Sequence, residues 1–156
     1  MASFWTTRGI RRAQEGTFQG EALPDSFYVA LVKATTAPTR ATTVMSGLSE
    51  IATGSGYSSG GLEIERDSVD FDTLIEDTDD FFVDLQLADV SWTATGGSIP
   101  ASGSGARYAV LTDDNPTVAN REVWFVWDLQ GERSVSVGQA LTLRDLTIRN
   151  RAVIPD

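Results

Sequence analysis

Two residue types are missing altogether: the chain has no cysteine and no histidine. Without cysteine there are no disulfides, thiolate zinc ligands or thiol nucleophiles. Without histidine there is no Ser-His-Asp triad, no imidazole metal ligand and no histidine general base. Any catalysis is left to carboxylates, tyrosine, lysine or arginine. Positive charge is also scarce, with 12 Lys and Arg against 22 Asp and Glu, a formal net charge of −10. A nucleic-acid partner needs a cationic face, so none is expected. Long hydrophobic runs are missing too. No segment approaches the ~20 consecutive apolar residues that span a bilayer, and no membrane partner is expected. The opening stretch, MASFWTTRGIRRAQEG, lacks the apolar core and small-residue cleavage site of a secretory signal, which predicts synthesis in a cytoplasm.

What is present is an ordinary globular composition. The 156 residues are 41% apolar and 22% charged, enough for one domain with its own core. The charge is unevenly placed. Residues 63–89 hold eleven of the 22 acids and a single base, Arg66. Arg8, Arg11 and Arg12 lie near the start and Arg144, Arg149 and Arg151 near the end. An acidic middle and basic ends allow head-to-tail pairing between copies, although a solvated acidic face accounts for the same pattern.

The periodicity predicts a short helix over residues 3–15, capped by Ser3 and stopped by Gly16. SFYVALVKA, 26–34, reads as a strand. Met45, Leu48 and Ile51 recur every three residues and predict one or two helical turns. Beyond residue 61 the chain reads as all-β. Alternation runs through Leu62 and Ile64, then Val83, Leu85 and Leu87, then Val90 and Trp92. Further strands are ARYAVLTD (106–113), REVWFVWDL (121–129) and QALTLRDLTIRN (139–150), with a turn at QGE (130–132). About seven short strands joined by Gly, Asn, Asp and Pro turns point to a mainly β fold. We expect a single antiparallel β-sandwich or jelly-roll-like domain over 21–156, preceded by a helical segment over 1–20.

TGSGYSSGGLEIE, 53–65, raises the possibility of a phosphate loop. The spacing does not fit one: the third glycine of a dinucleotide fingerprint falls one place late, a strand follows where a helix is needed, and no lysine is present. Gly56, Gly60 and Gly61 instead permit positive φ and close backbone approach in a structural turn. Tyr57 is expected to anchor it, ring on the core and hydroxyl near water. The acidic run DSVDFDTLIEDTDD, 67–80, lacks the glycine of a calcium-binding loop. Nothing in it fixes two carboxylates at the separation glycoside hydrolysis needs. No metal, cofactor or catalytic residue is assigned.

Two features suggest a contact surface. Residues 1–20 pair apolar Phe4, Trp5 and Ile10 with basic Arg8, Arg11 and Arg12, a composition suited to attachment. Trp124 and Trp127 are three apart in a strand, which places them on opposite faces. One is expected in the core, the other exposed or buried against a partner, where Trp is enriched.

The order of features resembles a widespread group of small virion proteins of tailed bacteriophages. The resemblance rests on Thr6-Thr7-Arg8-Gly9 in the N-terminal segment, FYVALV at 27–32, Gly56-Tyr57-Ser58-Ser59-Gly60-Gly61-Leu62, ADVSWTAT at 88–95, ARYAVLTDD at 106–114, and the late VWDL and SVSVGQALTL. It implies a non-enzymatic β-sandwich subunit made in the bacterial host cytoplasm and located in the virion. Such a subunit is a capsid decoration (cement) protein or, alternatively, a tail or fibre component touching the host surface. It further implies no cofactor. The partners implied are other copies of the chain, as a trimer, and the major capsid protein or another virion protein. Phe4, Trp5, Arg8, Arg11, Arg12 and Trp124 are the residues expected at the interface.

Overall fold

The computed structural model describes residues 2–152. The chain is mainly β, with one α-helix and antiparallel sheets. The elements are β1 (Ser3–Trp5), α1 (Thr7–Gln19), β2 (Ser26–Val32), β3 (Leu62–Glu65), β4 (Thr73–Asp77), β5 (Phe82–Gln86), β6 (Val90–Thr93), β7 (Ala106–Thr112), β8 (Val123–Arg133), β9 (Ala140–Leu143) and β10 (Thr147–Arg151). A five-stranded sheet runs β1-β8-β7-β2-β3, a three-stranded sheet β10-β5-β4, and a pair joins β6 to β9.

The β-branched and aromatic runs of β2, β7 and β8 form the centre of the large sheet, and their alternation sets its two faces. One face presents Val29, Leu31, Leu111, Phe125 and Trp127 to Val90, Trp92, Leu141 and Ile148 of the smaller sheets, making the main core. The opposite face buries Ala30, Val32, Val110 and Val126 beneath Met45, with Phe4, Leu48 and Tyr108 at the margin.

The helix starts later than its periodicity implied. Ser3–Trp5 instead pairs with the edge of β8, Phe4 opposite Val126 and Trp5 opposite Phe125. Alternation then sends Trp5 to the main core and Phe4 to the other face. Thr6, not Ser3, caps the helix: its Oγ1 accepts the Gly9 N–H at 2.9 Å and donates to the Val123 carbonyl at 2.5 Å. Gly20, not Gly16, ends it, with φ 73°. Gly9 and Gly16 both face inward. A Cβ on Gly9 would overlap the Trp124 carbonyl, and one on Gly16 the Leu23 side chain.

Three further expectations are corrected. QGE is not a turn. It is absorbed within β8, where Gln130 takes φ 60° and the register against β7 slips between Ala106 and Tyr108. The final strand divides into β9 and β10 around Asp145 at φ 56°, each half joining a different small sheet. Trp124 and Trp127 do not lie on opposite faces. Leu111 pairs with Phe125 but Thr112 with Val123, so Trp124 is the extra residue of a bulge, and both tryptophans enter the main core. A bulge shifts the side-chain period by one residue, which two-residue alternation cannot anticipate.

Candidate functional site

The N-terminal cations are largely used within the chain. Arg8 and Arg12 both bind the carboxylate of Glu122, a buried residue just ahead of β8. Arg11 meets Glu15 one turn along the helix at 2.6 Å, and Arg12 reaches the same Glu15 at 3.0 Å. Burial pushes the Glu122 carboxyl up, but hydrogen bonds from Arg12 and Arg8 outweigh it and hold the group below its ordinary value. Of the residues expected at an interface, Trp5 is half-buried and stands edge-on to Phe125, with ring centroids 5.5 Å apart. Phe4 is also half-buried, and Trp124 is 5% exposed. Arg11 keeps its guanidinium mostly in solvent.

Beside the helix lies a cavity of about 530 Å³. Its walls are chiefly apolar, with Trp5, Ile10, Phe71, Leu85, Trp124 and Ile148 among the lining residues. Gln14, Arg66, Asp67 and Asn150 supply the polar lining. A volume of this size falls within the range of small-ligand pockets, and sequence periodicity had no signal for it. It is lined by α1, by residues of the 66–71 segment and by residues of both the five-stranded and the three-stranded sheets.

The glycine-rich turn is a structural lock. Gly56, Gly60 and Gly61 have φ of 104°, 87° and 84°. Tyr57 is 2% exposed. Its hydroxyl does not face water: it donates to Glu50 Oε1 at 2.7 Å and accepts the Leu31 N–H at 2.9 Å. Glu50 also accepts the Gly60 N–H at 2.6 Å and the Ser59 hydroxyl at 3.2 Å. Burial, reinforced by the Glu50 charge, drives the Tyr57 phenol well above its ordinary value, so it stays protonated and acts as a strut. Glu50 carried no sequence signal, because its partners converge only after the turn folds.

The acidic middle and the basic C-terminal end meet inside one chain. Arg149 of β10 lies opposite Asp84 of β5 and binds it through two bonds, Nε to Oδ1 at 2.7 Å and Nη2 to Oδ2 at 2.5 Å. The guanidinium also rests 3.9 Å over the Phe82 ring. Hydrogen bonding to Arg149 holds the Asp84 carboxyl below its usual range despite burial. Arg144 pairs with Asp89 at 3.3 Å. Other acids serve their own backbone: Asp77 accepts the N–H groups of Asp79 and Asp80, and Asp67 those of Val69 and Asp70. At these positions acidic and basic groups meet within one molecule.

This stretch also contains a strand hidden beneath its charges. β4 pairs with β5 and lies at the end of its sheet. Leu74 is 71% and Ile75 45% exposed, and Val69 and Phe81 nearby are also open to solvent. On the helix, Phe18 stands 82% exposed and Ile10 45%.

No protein family, curated protein or solved structure matches the chain at a significant level.

Proposed function

We propose that this chain is a non-enzymatic structural subunit of a tailed-bacteriophage virion, a decoration protein that seats on the outside of the capsid shell through the β4–β5 hairpin. The observation that carries the reading is the state of β4. Consecutive residues of a strand point to opposite faces, so Leu74 and Ile75 expose apolar surface on both sides of an edge strand. Burying a Leu or Ile side chain is worth about 1.5–3 kcal/mol. An open edge also carries backbone groups ready to pair. Such a strand suits a protein whose task is to add contact area to a neighbour.

The virion setting rests on the sequence motifs quoted above. A tail or fibre role that stacks sugars on tryptophan is less well supported: Trp92, Trp124 and Trp127 are all buried and offer no open ring face. The test is reconstitution. Purified protein is added to capsids lacking it, and bound copies are counted by gel densitometry. Decoration predicts a copy number that follows the number of capsomers, and loss of binding by Leu74→Asp with unchanged melting. Binding of only a few copies per particle, or full binding by the variant, contradicts the reading.

A further inference from the structure

The three strands of the β10-β5-β4 sheet run in register, and two of their cross-strand rows end unfinished. Ile148, Leu85 and Leu74 form one row, and Arg149, Asp84 and Ile75 form the next. Alternation puts these two rows on opposite faces. Ile148 and Leu85 line the apolar cavity, so the first row runs outward from that cavity and stops in solvent at Leu74. The second stops in solvent at Ile75. The backbone stops at the same place. β4 is the last strand of its sheet, and among the described residues its main chain has no hydrogen-bond partner beyond β5. Carboxylates bracket this edge. Asp72 precedes the Leu74-Ile75 pair and Glu76 follows it, both exposed. Neither is in an ion pair among the described residues, where the pairs of the acidic stretch use Asp84 and Asp89 instead.

We infer that β4 takes up an extended segment of basic character from the protein it seats on. The segment adds an antiparallel strand in which two consecutive apolar residues continue the rows of Leu74 and Ile75, and lysine or arginine stands opposite Asp72 and Glu76. The inference rests on the reading of β4 as the contact edge and names the chemistry of its partner. The occupant is a strand because an open sheet edge is completed by extended backbone. Every strand pairing among the described residues is antiparallel, and that ladder is the more stable per residue. Charge narrows the choice further. A second copy offering its own β4 would bring the same carboxylates against these, and like charges across a strand pair are unfavourable. Nucleic acid, being anionic, meets the same repulsion. Read from its N-terminus, the partner segment is basic, apolar, apolar, variable, basic.

The experiment is an amide NMR titration of the full chain with two synthetic peptides. One is Thr-Lys-Val-Ile-Thr-Lys-Thr, and the other has both lysines replaced by glutamate. The basic peptide is expected to bind with its largest shifts at residues 72–77, and the acidic one at least ~10-fold more weakly. Asp72→Lys/Glu76→Lys, a change at two exposed positions, is expected to reverse that preference. Absence of saturable binding by the basic peptide, shifts centred on another surface, or a preference that the double variant leaves unchanged overturns the inference. Capsid binding by the same variants separates it from the capsid reading. Loss of binding by both Leu74→Asp and the double variant supports the two together. Loss by Leu74→Asp alone overturns the basic strand and keeps the capsid reading. Peptide binding at β4 by a protein that leaves capsids undecorated overturns the capsid reading and keeps the strand.

Discussion

Gly61 lies against the carbonyl of Val29 so closely that a Cβ at position 61 would overlap the oxygen, and its φ of 84° is one that a side chain resists. The turn at 56–61 is therefore fitted to β2, not free on the surface. Gly61→Val combines left-handed strain of about 1–3 kcal/mol with a clash against strand backbone. At roughly 2–4 °C per kcal/mol for a chain of this size, the melting temperature should fall by about 10 °C. Gly20→Ala is the control, because Gly20 shares a positive φ but has open space around it; its drop should be about a third as large. Thermal melts of the two variants check both values.

Tyr57 should resist ionisation. Burial and the Glu50 charge hold it against losing its proton. A raised folded-state value means that its contribution is intact below the ordinary phenol range and is lost as the solution becomes strongly alkaline. Phenolate absorbance followed against pH should show Tyr57 ionising only as the protein unfolds. Tyr57→Phe should cost about 1–3 kcal/mol, since it leaves the buried Leu31 N–H without a partner.

The Asp84–Arg149 pair predicts an acid limb of stability. The Asp84 carboxyl is depressed in the folded state, so its contribution is present above the ordinary aspartate value, near pH 4, and is lost as pH falls through the lower folded value. Asp84→Asn should destabilise at pH 7, and the difference from wild type should shrink steadily below pH 4. Urea midpoints measured from pH 7 to pH 2 check the slope. A difference that stays constant with pH would show that shape, not charge, holds β10 to β5.

Glu122 predicts the fate of the N-terminal segment. Removing residues 2–16 takes away β1, the Trp5 contact with Phe125 and both arginines that neutralise Glu122. A folded truncated domain is not the expected product. The milder Arg8→Ala/Arg12→Ala variant should lose about 2 kcal/mol by leaving a buried carboxylate unpaired, less than a fully buried pair would cost because the arginines are partly exposed. Adding Glu122→Gln to that variant should recover most of the loss. Chemical denaturation of the three proteins tests this.

The sequence made some of this legible and hid the rest for definite reasons. The turn at Gly56, Gly60 and Gly61 could be read because clustered glycines mark a turn whatever strand it packs against. β2, β7 and β8 could be read because continuous β-branched and aromatic runs have few alternatives. The fate of Trp124 could not, since it depends on a register slip against Thr112 on another strand. β4 was masked because its apolar pair sits among carboxylates whose charges pattern as loop. The partners of Arg8, Arg12 and Arg149 lie 114, 110 and 65 residues away, beyond any local spacing rule. Ser3 resembled a cap because nothing local shows that β8 has an open edge for residues 3–5 to join.

In the proposed reading β4, at the end of its sheet, is the strand that receives a partner. Hydrogen exchange measured on the free protein and on protein bound to capsids addresses it directly. In the free protein the amides of Thr73–Asp77 that point away from β5 have no strand to bond and should exchange fast. On the particle the same amides should become strongly protected, while those of α1 at Phe18 and Gln19 should not. Protection confined to the helix, or β4 amides that exchange as fast on the particle as off it, would contradict the claim that this edge makes the contact.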